Sequence, residues 1–231
     1  MAKNKKLFSK KYRIDISDST SKKTKIGIGI GIGIIVIAII VIIIIAATGG
    51  FKRRTIALDP QPIDENFSDS MLAATNDVRE KYGANPVTID EELEEDAQNI
   101  ANHLASNNKG LQHGWWNNGK FDADQAGMPY GQNLYMMGGQ VPTATDAVNS
   151  WLSECANCPS TGICNPAGNN GKVTGHFTQL VWKGCTKIGC GVARNGEGSS
   201  FVVCNYNEGN NLGTVEANIP SASIISGQCG K

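Results

Sequence analysis

An uninterrupted apolar segment of 22 residues, from Ile26 to Ala47, divides the chain into two unequal parts. As a helix rising about 1.5 Å per residue, it would cross the roughly 30 Å hydrocarbon core of a bilayer. The Gly-Ile alternation in its first half also fits a strand, but a lone strand would leave backbone hydrogen-bonding groups unpaired in lipid. We therefore predict a transmembrane signal-anchor helix over residues 26–47.

The charges on either side of this helix predict its orientation. Nine basic and two acidic residues precede position 26, against a basic triplet at 52–54 on the other side. Because the more basic flank stays in the cytosol, residues 1–25 are expected to form a basic cytosolic tail. Residues 48–66 are then a juxtamembrane linker, and 67–231 are an extracellular domain of a single-pass protein of the cell membrane.

The N-terminal segment has one alternative interpretation, and its glycines suggest one further property. It could be a signal peptide removed near Ala47, which would secrete the domain, although its basic and apolar parts are longer than in typical signal peptides. Its glycine-rich face, with Gly27 and Gly31 four residues apart, could support a helix dimer. Low-complexity apolar filler is the simpler explanation of that spacing.

All seven cysteines lie in the last third of the chain, which the predicted topology places outside the cytosol. Disulfides are the default expectation there. The cysteines are Cys155, Cys158, Cys164, Cys185, Cys190, Cys204 and Cys229. The CxxC spacing of Cys155 and Cys158 could suggest a zinc or redox site, but no second pair completes a zinc ribbon. Because the number is odd, one thiol stays free or links two chains in a dimer.

Two simpler features bear on modification and partners. Asn66-Phe-Ser68 is an N-glycosylation sequon in the linker, which predicts a glycoprotein. The 21 basic and 21 acidic residues balance, and nine of the basic residues lie in the tail, so the rest of the chain is net acidic. Nucleic acid is therefore not an expected partner.

Apolar periodicity predicts three helices in the outer part. They cover Ser68 to Tyr82, a segment from Asp90 to Ala105, and Thr143 to Glu154. Asn107 to Tyr130 and Cys155 to Gly171, both rich in Gly and Asn, are predicted to be irregular connections.

Strand patterns follow only later in the chain. We predict strands at His176–Trp182, Ile188–Ala193 and Ser200–Tyr206, the last two joined by a hairpin loop at 194–198. Helices followed by a small antiparallel sheet indicate an α+β fold in which the helices pack on the sheet. Because adjacent strands would carry them, Cys190 and Cys204 are expected to lie close together. Some pairing is also expected within Cys155, Cys158 and Cys164.

Several segments resemble one protein family. The chain contains GHFTQLVW at 175–182, FVVCNY at 201–206 and YGQNL at 130–134, and Asn76, Arg79, Trp151 and Glu154 occur at similar places in the family's order. These residues are similar to the superfamily of cysteine-rich secretory proteins, antigen 5 and pathogenesis-related proteins (CAP). Lys187–Val192 resembles the invertebrate venom-allergen-like and secreted-antigen members. The resemblance implies a three-layer α-β-α sandwich over residues 67–231.

The resemblance also implies a central cavity lined by two histidines and two acids. By position these are His113, His176 and Glu154, with Gln132 in place of the usual second acid. Zn²⁺ at His113 and His176 is the cofactor that this cavity implies. Gln132 is an important departure, because an amide cannot act as a general base near neutral pH and carries no charge for a metal site.

Three functions are compatible with these features. The preferred hypothesis is an extracellular, membrane-anchored or secreted binding module without catalysis, for a lipid, a sterol or a receptor protein, with an immunomodulatory or venom-allergen-like role. Apolar residues near Met128–Tyr130 and Leu134–Met137 could line its groove. The second is a zinc-dependent hydrolase or protease, in which Glu154 would have to be both ligand and base. The third is a structural surface-interaction domain without a small ligand.

Overall fold

A computed structural model describes residues 66–209 and 212–231. The predicted cytosolic tail, the predicted transmembrane helix with its glycine-rich face, and the linker before Asn66 lie outside these residues. Within the part of the chain that the structure describes, no helix is both long and apolar enough to cross a bilayer.

The described chain contains six α-helices, six strands and three short 3-10 helices. The helices are α1 (Phe67–Lys81), α2 (Glu91–Asn107), α3 (Ala144–Ser153), α4 (Gly175–Leu180), α5 (Val215–Asn218) and α6 (Ala222–Gln228). The strands are β1 (Thr88–Ile89), β2 (Trp115–Asn117), β3 (Lys120–Asp122), β4 (Gly131–Gly138), β5 (Lys187–Arg194) and β6 (Ser199–Tyr206). The 3-10 turns lie at Gln125–Gly127, Glu154–Asn157 and Leu212–Thr214.

The main sheet has the strand order β1-β5-β6-β4. Strand β6 pairs antiparallel with β5 and with β4, while the two residues of β1 pair parallel with β5. The sheet is therefore mixed, and the prediction of a purely antiparallel sheet was wrong at this edge. A separate two-stranded sheet is formed by β2 and β3.

Helices cover both faces of the main sheet, which gives the three layers that the resemblance implied. Helix α2 packs on β5 and β6 from one side, and α1, α3 and α4 pack on the other. Side chains of β5 alternate between these faces, so Ile188 and Cys190 face α1 while Gly189 and Gly191 face α2. A Cβ added to either glycine would overlap the backbone of α2. The two glycines therefore allow α2 to lie unusually close to the sheet.

The predicted long helices form as expected because their signals are local. Asp90 caps α2 by accepting a hydrogen bond from the Leu93 N–H at 3.2 Å, and Asn108 ends it in a left-handed conformation with φ of 49°. In α3, Thr143 and Asp146 form a capping box.

The predicted strand His176–Trp182 was wrong: residues Gly175–Leu180 form helix α4. Phe177 and Leu180, which are three residues apart, are both buried; they lie on one face of a helix but would lie on opposite faces of a strand. What favours the helix is contact with side chains far away in sequence, described below.

Two elements were missed in segments predicted as loops or irregular connections. Strand β4 pairs along its whole length with β6, from Gly131 opposite Tyr206 to Gly138 opposite Ser199. The β2–β3 hairpin lies within the predicted irregular connection, and Trp115 packs from it against the α2 side of the core. The partner of β4 thus lies outside its own segment, whereas β2 and β3 pair with each other.

The described residues contain three disulfides, one of them between the two central strands of the main sheet. Cys190 is bonded to Cys204 across β5 and β6, Cys158 to Cys164, and Cys155 to Cys229. Cys185 is the free cysteine, and its side chain is buried. In this arrangement its thiol does not reach the surface, as a covalent link to a second chain would require.

Candidate functional site

The candidate site lies at the free edge of β4. Leu134 O accepts a hydrogen bond from the Trp151 indole at 2.9 Å, so the backbone groups of Leu134 point away from β6. Backbone groups alternate in direction along a strand of an antiparallel pair, so those of the other even-numbered residues of β4 point the same way. The side chains of Gln132 and Asn133 point to opposite faces of the sheet. Residues on both faces can therefore meet around this edge.

Two cavities flank the edge, with volumes of about 500 and 410 Å³. His113 and Gln132 line both of them. Tyr130, Gln179 and Glu208 line the larger cavity. His176 and the loop at 166–175 line the smaller one. The two cavities form the two lobes of one cleft around His113 and Gln132.

Gln132 holds His113 from the α2 side of the sheet. The distance from His113 Nδ1 to Gln132 Oε1 is 3.0 Å, and the same oxygen accepts the Gly114 N–H at 3.3 Å. Gln132 Nε2 donates to Gly114 O at 2.9 Å and to Asn205 Oδ1 at 3.0 Å. The buried amide thus has two contacts at its oxygen and two at its nitrogen, which are the four hydrogen bonds that a glutamine amide can make.

Glu154 holds His176 from the other side. Its Oε1 lies 2.6 Å from His176 Nδ1, and its Oε2 accepts the backbone N–H groups of His176 and Phe177 at 2.9 and 3.2 Å. A carboxylate that binds the first N–H groups of a helix satisfies donors that have no partner within the helix. Glu154 therefore positions the His176 ring and caps α4 with the same side chain.

The two imidazole rings face each other across the edge of β4. Their centroids are 6.3 Å apart with an angle of 26° between the ring planes, and Trp151 stacks on the outer side of His176 at 6.4 Å. No hydrogen bond to Nε2 of either ring is found among the described residues. Both rings line the smaller lobe.

The charge state of His113 is set mainly by burial. Burial lowers the pKa of His113 below its usual value, the hydrogen bond with Gln132 opposes this, and the neighbouring His176 lowers the pKa further. His113 is therefore neutral at physiological pH, which is the form that can bind a metal ion.

Of the four residues of the implied cavity, two are histidines with a free ring nitrogen and two orient those histidines. Both oxygens of Glu154 are already engaged, so it orients His176 and does not face the cleft as a free ligand. Gln132 likewise orients His113. Among residues 66–209 and 212–231, no cluster of three or more His, Cys, Asp and Glu side chains could hold a metal ion. The donors that fit a metal here are the two Nε2 atoms alone.

Sequence reasoning missed Glu208, which the chain brings to the wall of the larger lobe. Its Oε1 accepts the Trp182 indole N–H at 3.0 Å, and a Cβ on Gly184 would overlap its carboxylate. Gln179 Nε2 donates to Glu208 O at 2.8 Å. The only signal in the sequence was its position two residues after the FVVCNY segment.

The other predicted site residues lie elsewhere or in different roles. Asn66 is exposed next to the start of α1, and its glycosylation stays a prediction. Met128 and Tyr130 line the larger lobe, as expected for the groove. Leu134 is instead buried in the core on the α2 side, and Met136 is exposed on β4.

Most of the described chain is similar to known proteins. Residues 72–206 match the family described as "CAP: Cysteine-rich secretory protein family". Pathogenesis-related leaf protein 4 of Solanum lycopersicum is 33% identical over 142 residues, which cover 62% of this chain and 77% of that protein. Pathogenesis-related protein 1 of Arabidopsis thaliana is 32% identical over 143 residues, covering 62% and 76%.

Solved structures similar to this chain have lower sequence identity to it. NaASP2, crystallised with Zn²⁺, matches with a TM-score of 0.49 and 21% identity, covering 69% of this chain and 86% of that one. Schistosoma mansoni venom allergen-like protein 4 matches with a TM-score of 0.43 and 21% identity, covering 69% and 95%. With a family match over residues 72–206 and relatives at one-third identity, the chain belongs to the cysteine-rich secretory protein (CAP) family.

Proposed function

We propose that this CAP domain is an extracellular binding module without catalytic activity, whose cleft binds a divalent transition-metal ion, with zinc the best fit, between His113 and His176. The observation that carries the proposal is that both rings have Nδ1 engaged by an oxygen, which leaves each Nε2 with its lone pair. Metal-binding histidines usually have this arrangement, in which the second ring nitrogen donates to a carboxylate or carbonyl.

Two imidazoles suit zinc, which accepts nitrogen ligands in a tetrahedron. When bound by only two protein atoms, the ion has further positions for water or for a donor group of a ligand. The lobes on either side of His113 would hold the rest of that ligand. When present, the ion supplies Lewis acidity and an anchoring point for such a group.

The same contacts argue against hydrolysis. A zinc hydrolase needs a base next to the metal-bound water. Glu154 caps α4 with one oxygen and binds His176 with the other, and Gln132 is an amide. Neither can take up a proton from water without breaking the contacts that position the rings.

The lining of the larger lobe favours a polar ligand over a sterol. Most of its side chains carry amide, imidazole or carboxylate groups, and Met128, Pro129 and Tyr130 form its apolar part. A headgroup or a polar segment of a protein ligand fits this composition better than a fused hydrocarbon ring system. The three disulfides support an oxidising, extracellular setting for this binding.

Calorimetric titration of the purified full-length chain with ZnCl₂ tests the proposal. We expect one ion per chain, with an affinity that falls at least about tenfold in His113→Ala and in His176→Ala. The matched control is His103→Ala, because His103 stacks on Phe121 with ring centroids 4.2 Å apart and does not line the cleft. No zinc binding, or equal binding by all three variants, would overturn the metal site. Peptide hydrolysis that requires zinc and His176 would show that the cleft is catalytic.

A further inference from the structure

We infer that Asn205 is a positioning residue of this site, which acts through Gln132 to keep His113 in one tautomer before any metal arrives. The inference concerns the proposed metal site and derives its importance from it. It can still be tested on the metal-free protein, so the two proposals can fail separately.

The direction of the Asn205 amide is set by the backbone. Its Nδ2 lies 3.4 Å from Leu93 O, which can only accept a hydrogen bond. The nitrogen must therefore point to Leu93, and the oxygen Oδ1 must point to Gln132. Asn205 is fully buried on β6, so solvent does not offer it an alternative partner.

The direction of the Gln132 amide follows from Asn205 and is confirmed by two backbone groups. Asn205 Oδ1 requires a donor, and Gln132 Nε2 supplies it at 3.0 Å. Gly114 O is also an acceptor and lies 2.9 Å from the same nitrogen, while the Gly114 N–H is a donor and lies 3.3 Å from Oε1. A flipped amide would put like groups together at all three contacts. Gln132 Oε1 therefore faces His113.

The direction of the Gln132 amide in turn fixes the tautomer of His113. Gln132 Oε1 can only accept, so His113 Nδ1 must carry the proton, and Nε2 keeps its lone pair. A free neutral imidazole can carry its proton on either nitrogen. The chain of contacts from Leu93 through Asn205 and Gln132 removes that freedom. A neutral amide does here for His113 what the Glu154 carboxylate does for His176.

This gives a physical reason why glutamine can stand at an acidic position of the family pattern. The acid's charge is lost, but its acceptor function is kept, and the buried Asn205 makes the amide point the right way. Since Gln132 and Asn205 are adjacent partners on β4 and β6, the contact depends on strand register rather than on a flexible loop.

Nitrogen-15 NMR of the histidine side chains in the metal-free full-length chain tests the inference. In the unaltered protein we expect His113 to carry its proton on Nδ1 and to show Nε2 as an unprotonated nitrogen. In Gln132→Met, which removes the acceptor at similar side-chain volume, we expect a mixture of both tautomers at His113. Asn205→Leu leaves the two Gly114 contacts of Gln132 in place, so we expect a smaller but detectable fraction of the second tautomer in that variant. His176 is the internal control and should stay unchanged, because Glu154 is untouched.

Each outcome decides the inference. An Nε2-protonated His113 in the unaltered protein overturns it outright, whatever the zinc affinity. A tautomer that persists in Asn205→Leu removes Asn205 from the pathway, whereas persistence in Gln132→Met removes Gln132. If Asn205→Leu does not fold, Asn205→Ala removes the same amide without added bulk and has the same expected result. Zinc titration of these variants then measures what the fixed tautomer contributes, with a loss of about 10- to 100-fold expected.

Discussion

Arg79 and Glu154 bind opposite ends of the same six-residue helix, α4. Arg79 Nη1 donates to Leu180 O and to Trp182 O, both at 2.9 Å, at its C-terminal end. Glu154 accepts the first N–H groups at its N-terminal end. A cation at the C-terminus and an anion at the N-terminus both match the helix dipole. Helix α4, which carries His176, is thus stabilised by charges from α1 and from the end of α3.

Arg79→Met should strongly destabilise the fold. Arg79 is fully buried and donates to four backbone carbonyls, those of Leu180, Trp182 and Cys185 and, through Nε, that of Asn85 at 2.7 Å. Methionine fills much of the same volume but leaves these acceptors without donors. We expect the free energy of unfolding to fall by about 3–5 kcal/mol, measured by chemical denaturation.

Arg79→Lys is the informative control, because it keeps the charge. A lysine ammonium has three donors at one point and cannot reach carbonyls spread along a guanidinium. Most of the stability loss should therefore remain in this variant. Full stability in Arg79→Lys would show that charge, and not the pattern of donors, is what α4 requires.

Glu154→Gln should weaken zinc binding more than it weakens the fold. Glutamine can still accept an N–H at the start of α4, but it is neutral and offers no negative charge to His176 Nδ1 or to the helix. We expect a loss of about 1–2 kcal/mol in stability and a drop of about 10- to 100-fold in zinc affinity, measured by denaturation and calorimetry. Equal zinc affinity in the variant and the parent would contradict the orienting role of Glu154.

These contacts show why the sequence predicted some elements and not others. Helix α2 could be predicted because its cap at Asp90 and its apolar stripe lie within the helix itself. Helix α4 could not, because its specification comes from Glu154, 22 residues before His176, and from Arg79, 101 residues before Leu180. A short segment with mixed polarity has no local signal strong enough to outweigh such partners.

The candidate site, like the fold, could be predicted from the sequence only in part. The family resemblance placed His113, His176, Glu154 and Gln132 together, and the structure brings all four to the edge of β4. Their division into two facing rings and two orienting side chains depends on which atoms meet, which sequence order does not specify. The role of Asn205 could not be predicted for the same reason, since its contact with Gln132 follows from the register between β4 and β6.

The three disulfides should contribute unequally to stability. Cys155 and Cys229 are 74 residues apart, whereas Cys158 and Cys164 are 6 apart. Closing a longer loop removes more entropy from the unfolded chain, so we expect about 4 kcal/mol from the first and about 2 kcal/mol from the second. Thermal unfolding of Cys155→Ser/Cys229→Ser and of Cys158→Ser/Cys164→Ser measures the difference. The reverse order would mean that residual structure in the unfolded chain dominates.

The free thiol of Cys185 should be unreactive in the native protein. Burial raises its pKa to about 11, from the ordinary 9.0, and the thiol donates to Glu208 O at 2.8 Å. At pH 8 only about one thiol in a thousand would then be ionised. Iodoacetamide should leave the native protein unmodified and label one cysteine after unfolding without reductant. Rapid native labelling would show that Cys185 is exposed by local opening.

The same shift predicts lower stability at alkaline pH. A raised pKa in the folded state means that folding favours the protonated thiol, so its contribution is fully present below about pH 9 and is lost as the pH rises through about 11. Burial also raises the pKa of Tyr130 to about 12, which adds a loss at still higher pH. Denaturation of Cys185→Ala between pH 8 and 10.5 should show a flatter decline than the parent. Parallel curves would assign the decline to other groups.

Because His113 follows α2 on one face of the sheet and His176 belongs to α4 on the other, the two rings come together only after all three layers have assembled. A ligand that contacts both rings consequently recognises the native state and not its unfolded or half-assembled forms. By mass action, such a ligand at a hundred times its dissociation constant would add about 2.7 kcal/mol to the free energy of unfolding. The lifetime of this domain outside the cell would then depend on the concentration of what it binds.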